Sequence, residues 1–202
     1  GNDQSLNVGA KEQNRSGLVI TNAELKLIDY ASKHFSKVII VINSANAMEL
    51  GWLQENDPNM KDGFYTDPYT KTKYDFTKVK AAIWAGCCGS QGGTALANIL
   101  TGEVTPSGHL VDTYVRDLRK DPTYQNFGSY LYDNSDELNS YQEETYFVDY
   151  EEGIYVGYRY YETAAKEAMN GNYAGFNYDE EVVFPFGYGL SYTTFSKEFA
   201  ST

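Results

Sequence analysis

Cysteine is nearly missing from this chain of 202 residues: there are two, Cys87 and Cys88, and they are neighbours. Adjacent cysteines cannot staple distant segments and neither stands at a metal-ligand spacing, so the residues give no ground for a disulfide framework or a metal. Histidine is equally scarce. His34 and His109 stand alone, without the partner spacing that metal binding or a triad needs. No Gly-x-Ser-x-Gly elbow is present for serine hydrolysis. Positive charge is in deficit, with 16 Lys and Arg against 28 Asp and Glu, and the net charge of −12 repels nucleic acid and anionic membrane. No window approaches the ~18 consecutive apolar residues of a membrane span, and "GNDQSLNVGAKEQNR" has no apolar core like that of a signal peptide. The chain reads as soluble, with its secretion route open.

What the sequence does have is 42% hydrophobic residues, including 19 Tyr and 10 Phe, enough for one core over residues 1–202. Thr21-Asn22-Ala23-Glu24 has the form of a capping box, and Leu25, Leu27, Ile28, Ala31 and Phe35 follow on a helical stripe, which predicts a helix over about 22–35. "KVIIVINSAN" then supplies an unbroken β-branched run, Val38 to Ile42, the pattern of a parallel strand buried on both faces. Val79 to Ala85 predicts a second such strand, Gly86 to Gly93 a glycine loop, and Thr94 to Leu100 a helix stopped by Gly102. The implied class is α/β: a mostly parallel sheet sandwiched between helices, in a flavodoxin-like doubly wound layout with right-handed crossovers. Between the two strands, 54–77 is polar and turn-rich and reads as an inserted surface loop or hairpin.

Three features bear on chemistry. In open α/β sheets, ligands collect beyond the carboxyl ends of strands, which puts Asn43 and Ser44, and Ser90 and Gln91, beside a shared crevice as candidate substrate-binding residues. The glycine loop that carries Ser90 and Gln91 lacks the Lys-Ser/Thr pair of a phosphate cradle, so it fits a tight turn better than a nucleotide site. Glu12, in a glycine-bearing loop ahead of the first helix, is a candidate acid. Most of the tyrosines suit core and rim, although a tyrosine platform would also serve a carbohydrate-binding module.

"PSGHLVDTY" (106–114), "EEGIYVGYRYYE" (151–162) and "FPFGYGLSYTTF" (184–195) follow one another as in the C-terminal α/β-sandwich domain of glycoside hydrolase family 3, which the chain resembles. The strand "KVIIVINSANAMEL" and the block "AAIWAGCCGSQGGTALANILTGEVTPSG" are similar to the same domain's first strand and its tryptophan–glycine–helix unit. The likeness runs from about Thr21 to Phe195.

The resemblance implies a β-glucosidase or β-xylosidase acting on terminal β-linked sugars. In that family an aspartate nucleophile on a separate barrel domain works with an acid/base glutamate on a loop of the sandwich, and retention requires the two carboxyls ~5–5.5 Å apart. Nothing here resembles the barrel, so the chain is expected to be one domain of a longer protein, without turnover of its own and without a cofactor. The barrel and a fibronectin type III-like module would be its covalent partners. Residues 1–20 then form the loop region near the acid/base position. Glu12 is the candidate there, while Gly1-Asn2-Asp3 looks like the tail of the family's Gly-Glu-Gly frame, which would put the glutamate just before Gly1. The closing aromatic run is expected to be structural, with Pro185 ending a ladder, Gly187 and Gly189 at positive φ, and the aromatics seated in the core.

Overall fold

The computed structural model describes residues 18–126, 130–138, 145–196 and 198. Glu12 and most of the 1–20 region lie outside the described residues. Helix α1 (Asn22–His34) starts on the expected capping box: Thr21 Oγ1 accepts from Glu24 N at 3.3 Å, and Thr21 N donates to Glu24 Oε2 at 2.7 Å. Such a cap contributes about 1 kcal/mol. Leu25 and Ile28 are buried beneath the helix, but Leu27 and Phe35, expected on the same stripe, are exposed, because Leu27 falls on the outer face and Phe35 is the extended cap that follows His34.

Strand β1 (Val38–Ile42) and β5 (Val79–Trp84) form the expected parallel pair, in register from Ile39 against Ala81 to Ile42 against Trp84. Their connection contains no long helix. It consists of one 3-10 turn (Gly51–Leu53) and an antiparallel ribbon of β2 (Met60–Lys61), β3 (Phe64–Thr66) and β4 (Lys73–Asp75). The segment carries Asp62-Gly63, both at positive φ, and two such residues form the hairpin turn whose twist matches antiparallel strands. Alternate ribbon residues turn inward: Tyr65, Tyr74 and Phe76 are buried with Leu25, Ile28, Ile42, Leu50 and Trp52 in the main core. The ribbon is tied to α1 by Asp75 N, which donates to Asp29 Oδ1 at 2.8 Å.

Helix α2 (Gly92–Thr101) follows β5 through the glycine loop and stops at Gly102, which is left-handed at φ 81°. Beyond it come β6 (Tyr114–Val115), α3 (Pro122–Asn126), β7 (Tyr130–Leu131), α4 (Ser135–Leu138), β8 (Tyr146–Phe147), α5 (Tyr158–Met169), α6 (Tyr178–Glu181) and β9 (Val182–Phe184). Strands β6 and β9 pair antiparallel, and Val115, Tyr161 and Val182 make a second, smaller core under α5. The chain is thus a mixed α/β fold with a parallel pair and helices, to which antiparallel ribbons are added. Among the described residues no helix is long and apolar enough to cross a membrane.

The structure corrects two expectations. First, β1 is not buried on both faces: Ile39 is 48% and Val41 39% exposed, Ala81 and Ala82 of β5 are exposed, and α2 buries none of its residues. Coverage depends on what packs on a sheet, which a β-branched run does not specify. Second, the closing run works differently from its glycine pattern. Gly187 has φ 78°, but Gly189 is not at positive φ; a Cβ there would meet Gly108 O at 2.6 Å, so its role is close approach. Leu110 N donates to Tyr188 O and Gly187 N to Leu110 O, both at 2.8 Å, so "PSGHL" and "FGYG" lie against each other. Phe184 packs on the core, while Phe186 and Phe195 are exposed.

Candidate functional site

Two places on this frame carry polar groups. The first is the carboxyl end of the parallel pair. Because Ile42 lies opposite Trp84, the loops that leave β1 and β5 start at the same end of the sheet, and Ala85 N donates to Ile42 O at 2.9 Å. Asn43 is exposed and Ser44 half-buried; Ser44 Oγ donates to Asn46 O at 2.9 Å, which closes a local turn. Ser90 and Gln91 are exposed ahead of α2, and Gln91 makes no side-chain cap. The topology brings these four predicted residues to one edge, and none of them lines the cleft described next.

That cleft, of about 410 Å³, lies where the 3-10 turn, the ribbon and the residues after β6 meet. Val19, Glu49, Trp52, Asp57, Tyr69 and Arg119 are among its walls. Arg116 enters it fully engaged: its guanidinium donates to Asp57 Oδ2 at 2.9 Å, to Gln54 Oε1 at 3.1 Å and to Asn56 Oδ1 at 3.0 Å. Asp57 and Arg116 are both largely out of solvent, so each neutralises a charge the other would leave stranded. The pair requires glycine at 51, where a Cβ would sit 2.3 Å from Asp57 Oδ2.

Arg119 grips Asp117 with two bonds, Nε to Oδ1 at 2.7 Å and Nη2 to Oδ2 at 2.8 Å. Burial pushes the Asp117 carboxyl up, but the bound guanidinium more than offsets this and holds it below the usual carboxylate range. Glu49 is the exception in the cleft. Burial pushes its carboxyl up to about 7, against the pull of the Leu118 N–H that donates to Oε1 at 3.0 Å. This group escaped the reading of residue patterns, although an acid between Met48 and Leu50, three residues before a tryptophan, was the available signal.

The model of the glycosyl hydrolase family 3 C-terminal domain matches residues 64–158, which include β5, the glycine loop and the docked "PSGHL" motif. β-Glucosidase A of Butyrivibrio fibrisolvens is 33% identical over 192 residues, 94% of this chain and 18% of that protein. The solved β-glucosidase of Paenibacillus barengoltzii superposes with a TM-score of 0.58 at 32% identity, over 88% of this chain and 14% of its own. The chain belongs to the C-terminal domain of glycoside hydrolase family 3. Like other relatives, it matches only a part of each: the exo-α-(1→6)-L-arabinopyranosidase of Bifidobacterium longum, 37% identical over 116 residues, shares 57% of this chain and 12% of its own. This family 3 domain thus spans less than a fifth of the length of the curated relatives described here.

Within the family 3 domain, the resemblance in motifs and the observed contacts coincide. The tryptophan before the glycine loop, Trp84, meets Tyr114 of "GHLVDTY" edge to face at 5.1 Å. Tyr161 of "VGYRYYE" is buried, and its hydroxyl donates to Asp121 Oδ2 at 3.3 Å. The motifs are therefore the seams at which the elements pack.

Proposed function

We propose that this family 3 domain forms one wall of the active site of a retaining β-glycosidase, of β-glucosidase or β-xylosidase type, acting on terminal β-linked sugars. The nucleophile is an aspartate on a barrel domain of the same protein, and the acid/base is a glutamate of the N-terminal loop region, Glu12 or one just before Gly1. A fibronectin type III-like module is the third covalent partner. The observation that carries this reading is the ordered set of family signatures, from the β1 strand to the closing run, folded into mutual contact.

The division of labour follows from charge. Retention needs a carboxylate to attack and a second carboxyl to protonate the leaving oxygen, ~5–5.5 Å apart, so the two domains must close on the sugar between them. Asn43, Ser44, Ser90 and Gln91, at the open carboxyl end of the parallel pair, are the proposed contacts to sugar hydroxyls. Relatives named β-glucosidase and α-L-arabinopyranosidase leave the preferred sugar to be found by assay.

The test compares this 202-residue chain with the longer protein that contains it, on aryl β-glucoside, aryl β-xyloside and aryl α-L-arabinopyranoside. Hydrolysis with retained anomeric configuration is expected from the longer protein, and none from the chain alone. Robust turnover by the chain alone, or inversion, overturns the reading.

A further inference from the structure

The charges that line the cleft are already matched. Asp57 is paired with Arg116 and Asp117 with Arg119, so no guanidinium stands ready for an incoming anion. Two polar groups remain open. Among the described residues the side-chain amide of half-buried Asn59 has no hydrogen-bond partner, and Glu49 keeps Oε2 unengaged, because Oε1 alone accepts from Leu118 N at 3.0 Å. Both residues line the cleft.

The walls are set before any ligand arrives. Buried Asp57 takes Arg116 on Oδ2 and Asn59 N on Oδ1 at 2.8 Å, and Asn59 O accepts from Thr66 N at 2.8 Å, so the backbone that carries the free amide is fixed on both sides. Buried Asp67 closes the next turn. Its carboxylate accepts from Tyr69 N at 3.2 Å and Thr70 N at 3.3 Å, which seats Pro68 and Tyr69 in the wall beside Trp52 and Tyr65. Groups fixed in this way cost a ligand little ordering.

The cleft therefore offers an apolar wall of rings, an amide with two donors and an acceptor, and one carboxyl oxygen. A ligand that uses all three is uncharged, has a C–H face and carries hydroxyls at its edge. Sugar rings have that make-up. The volume of about 410 Å³ lies near the small end of the ~300–1,000 Å³ of ligand pockets, which suits one ring rather than a chain of them. An anion would meet Glu49 and Asp117 without an unmatched cation, in a chain of net charge −12. We propose that this cleft is a saccharide-binding site for a single hexose or pentose ring, whose hydroxyls meet the Asn59 amide and Glu49 Oε2. The ribbon and the residues after β6 build it, and none of the four residues at the carboxyl end of the parallel pair takes part. The inference stands apart from the active-site reading, so either can fail alone.

Titration of the isotope-labelled 202-residue chain with D-glucose, D-xylose and L-arabinose, followed by NMR at the Asn59 side-chain amide and the Trp52 indole N–H, reads the site. Saturable shifts at both are expected for at least one sugar, with a Kd on the order of 1 mM for so small a ligand. Asn59→Ala removes an amide on which no described bond depends, so the fold is expected to hold and Kd to rise about tenfold. An unchanged Kd in Asn59→Ala, or no saturation by any of the three sugars up to about 100 mM, overturns the proposal. Should Asn59→Ala misfold, Glu49→Ala supplies the same measurement at the other polar group, with the same rise expected and the same reading of an unchanged Kd. Saturation by methylammonium and by none of the sugars assigns the cleft to a cation and overturns the proposal. Shifts confined to Asn43, Ser44, Ser90 and Gln91 overturn it as well, and support the contacts proposed for the active-site wall.

Discussion

The parallel pair and the ribbon that interrupts it make opposite use of their residues. Strands β1 and β5 are built from the most apolar runs in the chain, yet Ile39, Val41, Ala81 and Ala82 remain exposed. The ribbon segment is full of Asp, Lys, Thr and Pro, yet it puts Tyr65, Tyr74 and Phe76 at 5–6% exposure into the main core. Burial here follows from what lies opposite each face. A short antiparallel ribbon carries its own turns and needs only one residue in two to be apolar.

The comparison is broken most directly by truncating side chains on its two sides. Leu25→Ala, at 0% exposure beneath α1, is expected to cost about 2–5 kcal/mol in urea unfolding. Leu27→Ala on the outer face of the same helix and Val41→Ala on the open face of β1 are expected to cost less than about 1 kcal/mol. Equal losses at Leu25 and Val41 would mean that the open face is covered in solution.

Glu49 sharpens the contrast, because its burial lowers stability. Its carboxyl titrates at about 7 in the fold against an ordinary 4.5, so the folded state binds the proton more tightly than the unfolded chain does. Stability is therefore fullest below about pH 4.5, falls as pH rises toward 7, and is flat above, for a total of about 3 kcal/mol. Glu49→Gln is expected to regain about that much at pH 8 and to change little at pH 4, as measured by thermal unfolding at both pH values. A smaller effect belongs to the start of α1, where Thr21→Ala removes the cap and is expected to cost about 1 kcal/mol in urea unfolding at any pH above the carboxylate range.

Local signals were legible in the sequence where a few neighbouring residues decide the structure. The capping box at Thr21 and Glu24, the β-branched run of β1 and the Gly102 stop each act within a turn or a strand, and each appears in the structure. The ribbon was legible only as a hairpin-like insertion. Its inward tyrosines are spaced for a strand, but their burial depends on α1 and Trp52, which come from elsewhere in the chain. The four residues at the carboxyl end of the parallel pair were placed by topology alone. The cleft was invisible for the same reason in reverse: Asp57 and Arg116 stand 59 positions apart, and nothing in either neighbourhood marks the other as its counter-ion. Glu49 went unnoticed because the backbone N–H that meets its carboxyl, that of Leu118, lies 69 positions further along the chain.

Gly108 and Gly189 touch so closely that no atom fits between them. The "PSGHL" signature and the closing run thus form a single interlocked joint, although 80 residues of chain separate the two glycines. A methyl group placed at 189 would have to displace the main chain at 108, and with it Leu110, whose two backbone bonds hold the closing run in place. The constraint runs one way: a side chain at 189 meets the main chain at 108, whereas one at 108 would point into open space.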